Sequence, residues 1–87
     1  MSTDIIPLSL LQEGEEGIIH SVAGGVGLIG RLASMGLTAG MRVKVVRNIG
    51  GPLIVTTNGI RIAIGRGQAR KIAVRRLTAA KEKAALT

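Results

Sequence analysis

The chain has 87 residues with no cysteine and no aromatic residue, and its 12 lysines and arginines against 5 acidic residues give a formal net charge of +7. This length supports one domain with one small core, which excludes a multidomain enzyme. The lack of cysteine excludes disulfides, thiolate chemistry and cysteine-based zinc sites. Because aliphatic side chains alone must fill the core, strands rich in β-branched residues are favoured.

Acidic residues are missing from most of the chain. Four of the five precede Gly17 and the fifth is Glu82, so residues 17–81 carry only cations. Paired-carboxylate catalysis and carboxylate-bound magnesium or calcium are therefore excluded from this stretch. An acidic protein surface, a phosphate backbone or an anionic membrane stays open as a partner. The N-terminus lacks a basic signal segment and no apolar run could span a bilayer, so we expect a cytoplasmic protein.

The first third of the chain predicts a short turn, a strand and a helix. Residues 7–11 allow at most one turn of helix, because a glycine-rich break follows directly. A strand is expected at 17–22. The glycines at 24–27 then open a helix, in which apolar side chains recur with helical spacing at Leu28, Leu32 and Met35.

The end of this helix is clearly marked in the sequence. Gly36 is expected to take the left-handed conformation, with Leu37 packing back on Leu32 in a Schellman motif. Gly40 then suits the third position of a type II turn.

The remaining pattern is that of short strands. Alternating residues at 41–45 predict a half-buried strand, and the break at Val46-Arg47 suggests a bulge. Asn58-Gly59 is a strong hairpin signal, and Ile60, Ile62 and Ile64 after it share one face. About one helical turn is expected within 65–71. The strands after the first are placed at 41–45, 53–57, 60–64 and 72–75.

Together these elements predict a mainly β fold, a small five-stranded antiparallel barrel with one short helix after the first strand. Residues 1–76 would form the single domain. Residues 77–87 are rich in alanine and lysine but poor in large apolar groups, so we expect a flexible tail or a frayed helix there.

Gly25 to Gly30 spell G-x-G-x-x-G, the pattern of a dinucleotide-binding turn. The context does not support it, because that motif needs a parallel partner strand and an acidic residue about 20 positions on. A tight strand-to-helix turn explains these glycines better. No nucleotide or other cofactor is therefore expected.

Catalytic and metal-ligating groups are also scarce. His20 is the only histidine, and one imidazole supplies only one of the roughly four to six ligands that a metal needs. The serines have no second base with which to form a nucleophilic triad. We therefore expect no metal site, no catalytic residues and no enzyme activity.

A basic small barrel also fits the electrostatic pattern of a nucleic-acid-binding protein, which is the alternative function. Arg70, Lys71, Arg75 and Arg76 could form a phosphate-binding patch. However, the chain has no aromatic side chain on which bases could stack, which argues against this alternative. A solvated, solubilising surface explains the same charges equally well.

The order of features resembles the ferrous iron transport protein A (FeoA) family over about residues 8–75. The most specific part runs from Arg31 to Gly40 and looks like the family pattern R-L-x-x-[LM]-G-L-x-x-G. Leu8-Ser9-Leu10-Leu11, the Gly51-Pro52-Leu53 loop before the hairpin and the final strand at 72–74 fall in the expected places.

This resemblance implies an SH3-like small barrel that assists ferrous iron uptake. Its implied partner is the membrane permease, ferrous iron transport protein B, contacted through the cytoplasmic GTPase domain. The membrane would be reached only through that permease, and weak self-association stays open. For partner binding, we expect a surface with an apolar centre and a basic rim, formed by Arg31, Leu32, Met35, Leu37, Pro52 and Leu53.

Overall fold

A computed structural model describes residues 5–77 of the chain. Its strands form one antiparallel sheet of six strands, in the order β1-β6-β2-β3-β4-β5. The sheet curves round one core as an SH3-like small barrel. The elements are β1 (Ile5–Pro7), a 3₁₀ turn (Leu8–Leu10), β2 (Glu16–Val22), α1 (Val26–Ser34), β3 (Arg42–Arg47), β4 (Leu53–Thr57), β5 (Ile60–Ile64), α2 (Arg66–Ala69) and β6 (Ile72–Arg76).

The mainly β fold is confirmed, but the predicted count of five strands is one too low. The additional strand is β1, which pairs with β6 so that Ile6 lies opposite Val74. Helix α1 consequently follows the second strand of the sheet and not the first. At the other end, the Leu77 N–H donates to the Glu16 carbonyl at 2.9 Å. The rest of the predicted tail, 78–87, lies outside the described residues.

The end of α1 has the predicted Schellman geometry. Gly36 has a φ of 88°, and its N–H donates to the Ala33 carbonyl at 2.9 Å. The Leu37 N–H donates to the Leu32 carbonyl at 2.8 Å, and both leucine side chains are fully buried. These bonds satisfy carbonyls at the helix end and turn the chain directly into the core.

The strand connections also follow the sequence pattern. The Met41 N–H donates to the Thr38 carbonyl at 3.1 Å across Gly40, whose φ is 92°, as the predicted turn requires. Asn58 and Gly59 both have positive φ and join β4 to β5 as a two-residue hairpin loop. The register of β3 against β4 shifts between Val45 and Arg47, which confirms the bulge.

The core is entirely aliphatic and receives side chains from nearly every element. Side chains alternate along each strand, so every second one points into the core. The 3₁₀ turn and α1 cover this side of the sheet. The buried apolar residues are Leu8, Leu11, Ile19, Leu32, Leu37, Val43, Val45, Leu53, Val55, Ile62, Ile64, Ala69, Ile72 and Val74.

Thr57, at the end of β4, is the one polar residue among the buried side chains in 5–77. It is 4% exposed, and its hydroxyl oxygen has no hydrogen-bond partner there. An unsatisfied buried hydroxyl costs about 1–3 kcal/mol. Thr57→Val has nearly the same shape and should therefore raise the free energy of unfolding by about 1 kcal/mol. Urea unfolding followed by circular dichroism tests this prediction, and an unchanged or lower midpoint would contradict it.

Candidate partner-binding surface

The six residues expected at the binding surface divide into two groups. Leu32, Leu37 and Leu53 are fully buried, so their side chains hold the core together and do not reach a partner. The surface prediction needs correction at these three positions. Arg31 and Pro52 are exposed, and Met35 is half-buried at the end of α1.

The structure also does not bring Arg31 and Met35, at the end of α1, next to Pro52. The end of α1 lies beside the β4–β5 hairpin, where a methyl group added to Gly36 would be 3.7 Å from Thr57 Cγ2. Pro52 precedes β4 at the opposite end of that strand, and the two strand ends, Leu53 and Thr57, are about 13 Å apart for four residues of extended chain. The Met35 surface and the Pro52 loop are therefore separate features.

The apolar side of the Met35 surface comes instead from β5. A shallow depression is lined by Ser34, Met35, Gly36, Thr57, Asn58, Ile60 and Ile62. Ile60 is 60% exposed, although it shares a strand face with the buried Ile62 and Ile64. It follows the hairpin loop directly, so the core does not extend far enough to cover it. We call this feature the Met35–Ile60 depression.

Basic side chains lie on the outer face of the same sheet. Lys44, Thr56 and Arg61 are aligned across β3, β4 and β5, and the adjacent row is Arg47, Ile54 and Ala63. Side chains directly opposite each other on one sheet face have Cβ atoms about 5 Å apart. Within residues 5–77, none of the three cations forms a hydrogen bond or an ion pair. We call Lys44, Arg47 and Arg61 the outer basic group.

The acidic residues near the start of the described chain bond to groups other than the outer basic group. Glu16 Oε1 accepts a hydrogen bond from Arg42 Nε at 2.7 Å, and Glu15 Oε2 lies 3.4 Å from Arg76 Nε. Glu13 Oε2 accepts from the Asn48 N–H at 2.9 Å. Glu16 is nevertheless the register partner of Lys44, and Glu13 lines one depression with Arg47 and Arg61, so these carboxylates offset part of the charge of the outer basic group without bonding to it.

Asn48 also links three segments through its side chain. Its amide nitrogen donates to the carbonyls of Ser9, at 3.2 Å, and Leu11, at 2.6 Å. Its amide oxygen accepts from the Arg66 guanidinium of α2. This cluster holds the 3₁₀ turn, the end of β3 and α2 together, and we assign it a structural role.

The described part of the chain has few side chains that could ligate a metal. It contains no cluster of three or more histidine and acidic residues that could hold a metal ion. His20 is exposed, and it lies at the bulge where β2 changes register against β6.

None of the helices within residues 5–77 is long and apolar enough to cross a membrane. The longer one, α1, has 9 residues. A bilayer-spanning helix needs about 20.

The comparison with protein families decides the assignment. Residues 6–76, which include every element of the fold except the start of β1, match the FeoA domain. The chain belongs to the FeoA domain family. It is 50% identical over 68 residues to a protein of Methanocaldococcus jannaschii provisionally named Fe(2+) transport protein A. That alignment covers 78% of this chain and 83% of the relative.

Solved structures of FeoA proteins have the same fold. A crystal structure of an iron uptake regulatory protein, FeoA, superimposes with a TM-score of 0.82 at 39% identity, covering 85% of this chain and 100% of that one. The solution structure of FeoA from Chlorobium tepidum gives a TM-score of 0.77 at 33% identity, covering 84% and 71% of the two chains. These matches confirm the family resemblance and the SH3-like fold.

Proposed function

We propose that this FeoA-family protein is an accessory of ferrous iron uptake that binds the ferrous iron permease, ferrous iron transport protein B, at its cytoplasmic GTPase domain. The protein acts in the cytoplasm and reaches the membrane only through that permease. Family membership and the identity to the M. jannaschii protein support the link to Fe²⁺ transport. The protein acts by binding and performs no reaction of its own.

The observation that carries the binding role is the Met35–Ile60 depression with cations nearby. Ile60 is 60% exposed in a chain whose other β5 isoleucines are buried. Arg31 lies one helical turn before Met35, and the outer basic group lies on the opposite, outer side of β3–β5. Apolar centres with polar surroundings are typical of transient protein interfaces, and the surrounding positive charge favours an acidic partner.

Met35→Asp tests this proposal in cells. We expect Fe²⁺ uptake to fall to the level of a strain that lacks the protein, because a carboxylate would be desolvated in the contact and would face an acidic partner. Ile60→Asp should have the same effect with less risk to folding, because Ile60 is more exposed than Met35. Radioactive iron uptake provides the measurement, and amide NMR spectra of both variants verify the fold.

Arg75→Glu is the matched control. Arg75 is exposed on β6, opposite Ile5 and Ile18 and away from the Met35–Ile60 depression. Reversing its charge should leave uptake near the wild-type rate. Normal uptake by folded Met35→Asp and Ile60→Asp proteins would reject this surface as the functional one.

Nucleic-acid binding is the competing function, and salt distinguishes it. Phosphate contacts release counterions, so affinity for DNA or RNA would fall by orders of magnitude between low and moderate salt. The cations lie on the outer side of the sheet, from Arg75 on β6 to Lys44 on β3 and Arg61 on β5, but no aromatic side chain lies among them on which bases could stack. This composition supports a protein partner. Recovery of nucleic acid with the protein at moderate salt would favour the alternative.

A further inference from the structure

Strand β5 is an edge of the sheet. It pairs with β4 on one side and has no strand on the other within residues 5–77. An edge strand presents unpaired backbone donors and acceptors, which another extended chain can use. The opposite edge, β1, has only three residues and includes Pro7, which has no N–H to donate. The edge suited to pairing is therefore β5.

The hairpin geometry identifies the unpaired backbone groups. Thr57 and Ile60 flank a two-residue loop and so form a hydrogen-bonded pair. Hydrogen-bonded and non-hydrogen-bonded pairs alternate along an antiparallel ladder, so the groups of Ile62 and Ile64 also face β4. The N–H and C=O groups of Arg61 and Ala63 face the open edge. Both residues are exposed.

A strand added at this edge would have two chemically different sides. Its side chains opposite Ile60 and Ile62 would project toward the Met35–Ile60 depression, which is largely apolar. Its alternate side chains, opposite Arg61 and Ala63, would project on the outer face, close to the outer basic group. Apolar residues fit the first side and acidic residues fit the second.

We propose that β5 is the docking edge for an extended partner segment in which apolar and acidic residues alternate, bound by strand addition. This inference builds on the proposed function, because it takes the partner to be a protein. A second copy of this chain is the poorer occupant, since residues 17–81 contain no carboxylate and the net charge is +7. The segment's backbone would bond to Arg61 and Ala63, while its acidic side chains would neutralise the outer basic group.

The test uses the full-length ¹⁵N-labelled protein and an acetylated, amidated peptide of alternating glutamate and valine. A peptide of alternating lysine and valine is the control. We expect the glutamate peptide to shift the amide signals of Arg61 and Ala63 most and to slow their hydrogen exchange. The lysine peptide should cause neither change.

Three variants separate backbone pairing from charge. Ala63→Pro removes the outward N–H without breaking a bond to β4 and should weaken peptide binding roughly tenfold. Ala63→Val keeps that N–H and should bind like the wild type. Arg61→Glu keeps the backbone and should also weaken binding roughly tenfold, with a smaller effect at high salt.

Three results would bear directly on β5 as the docking edge. Equal binding by Ala63→Pro and Ala63→Val, or peptide-induced shifts far from β5, would overturn the proposal. Signals of Arg61 and Ala63 that move with protein concentration alone would identify a second copy as the occupant and would also overturn it. If the glutamate peptide binds at β5 but the permease GTPase domain does not bind at all, the docking edge stands and the proposed function fails.

Discussion

Gly17→Val should lower the free energy of unfolding by about 2–3 kcal/mol, because the added side chain has no space in the centre of the sheet. Gly17 is buried in β2 between β3 and β6. A methyl group at this position would lie 3.2 Å from both Val74 Cβ and the Arg75 carbonyl oxygen. The backbone of β6 would have to move away, and its pairing with β2 would weaken.

The control for this prediction is Gly30→Ala in α1. A methyl group there meets nothing within 4 Å, and the φ of Gly30 is not positive. Alanine is more favourable than glycine inside a helix, so stability should rise by about 0.5–1 kcal/mol. Because the chain has no aromatic residue, far-ultraviolet circular dichroism must follow unfolding. Wild-type stability of Gly17→Val would contradict the close packing of β2 on β6.

Asn48→Leu should destabilise the protein by about 2–3 kcal/mol. The substitution removes the donors to the Ser9 and Leu11 carbonyls and the acceptor for Arg66. Those partly buried groups would then lose a partner without gaining water in full. The 3₁₀ turn and α2 should also loosen, since Asn48 is bonded to both.

Asn48→Asp is the matched variant, because it keeps the shape and replaces the amide donor by a carboxylate oxygen. That oxygen would face two carbonyl oxygens, so we expect a loss at least as large despite a stronger bond to Arg66. Urea unfolding of the three proteins provides the comparison. Wild-type stability of Asn48→Asp would show that the amide donor contributes nothing.

The turns were the most predictable part of the fold. Gly36, Gly40 and the Asn58-Gly59 pair adopt conformations with positive φ, which most other residues disfavour. At such a position the residue type alone indicates the backbone conformation. Predictions there were confirmed without any knowledge of tertiary contacts.

Strand β1 could not be predicted in the same way. Ile5–Pro7 is too short to show an alternating pattern, and it is a strand only because β6 lies beside it. Asn48 is a related case, since its four bonded partners, three within residues 9–13 and the fourth at Arg66, are far from it in sequence and no local pattern marks them.

The candidate surface was predicted only in part, because a family pattern combines structural and exposed residues. Leu32 and Leu37 belong to the pattern through the Schellman packing and are buried, whereas Arg31 and Met35 reach the surface to different extents. Ile60 shares the alternating pattern of Ile62 and Ile64, which predicts a core position for it. Its 60% exposure depends on where α1 ends relative to the hairpin, which the sequence does not show.

The most direct test of the central claim is an NMR titration of the ¹⁵N-labelled protein with the purified cytoplasmic GTPase domain of the same organism's ferrous iron permease, at physiological salt and in both nucleotide states. The proposed function predicts chemical-shift changes clustered at residues 30–36 and 60–63, and their loss in Ile60→Asp. No shift in either nucleotide state would contradict permease binding.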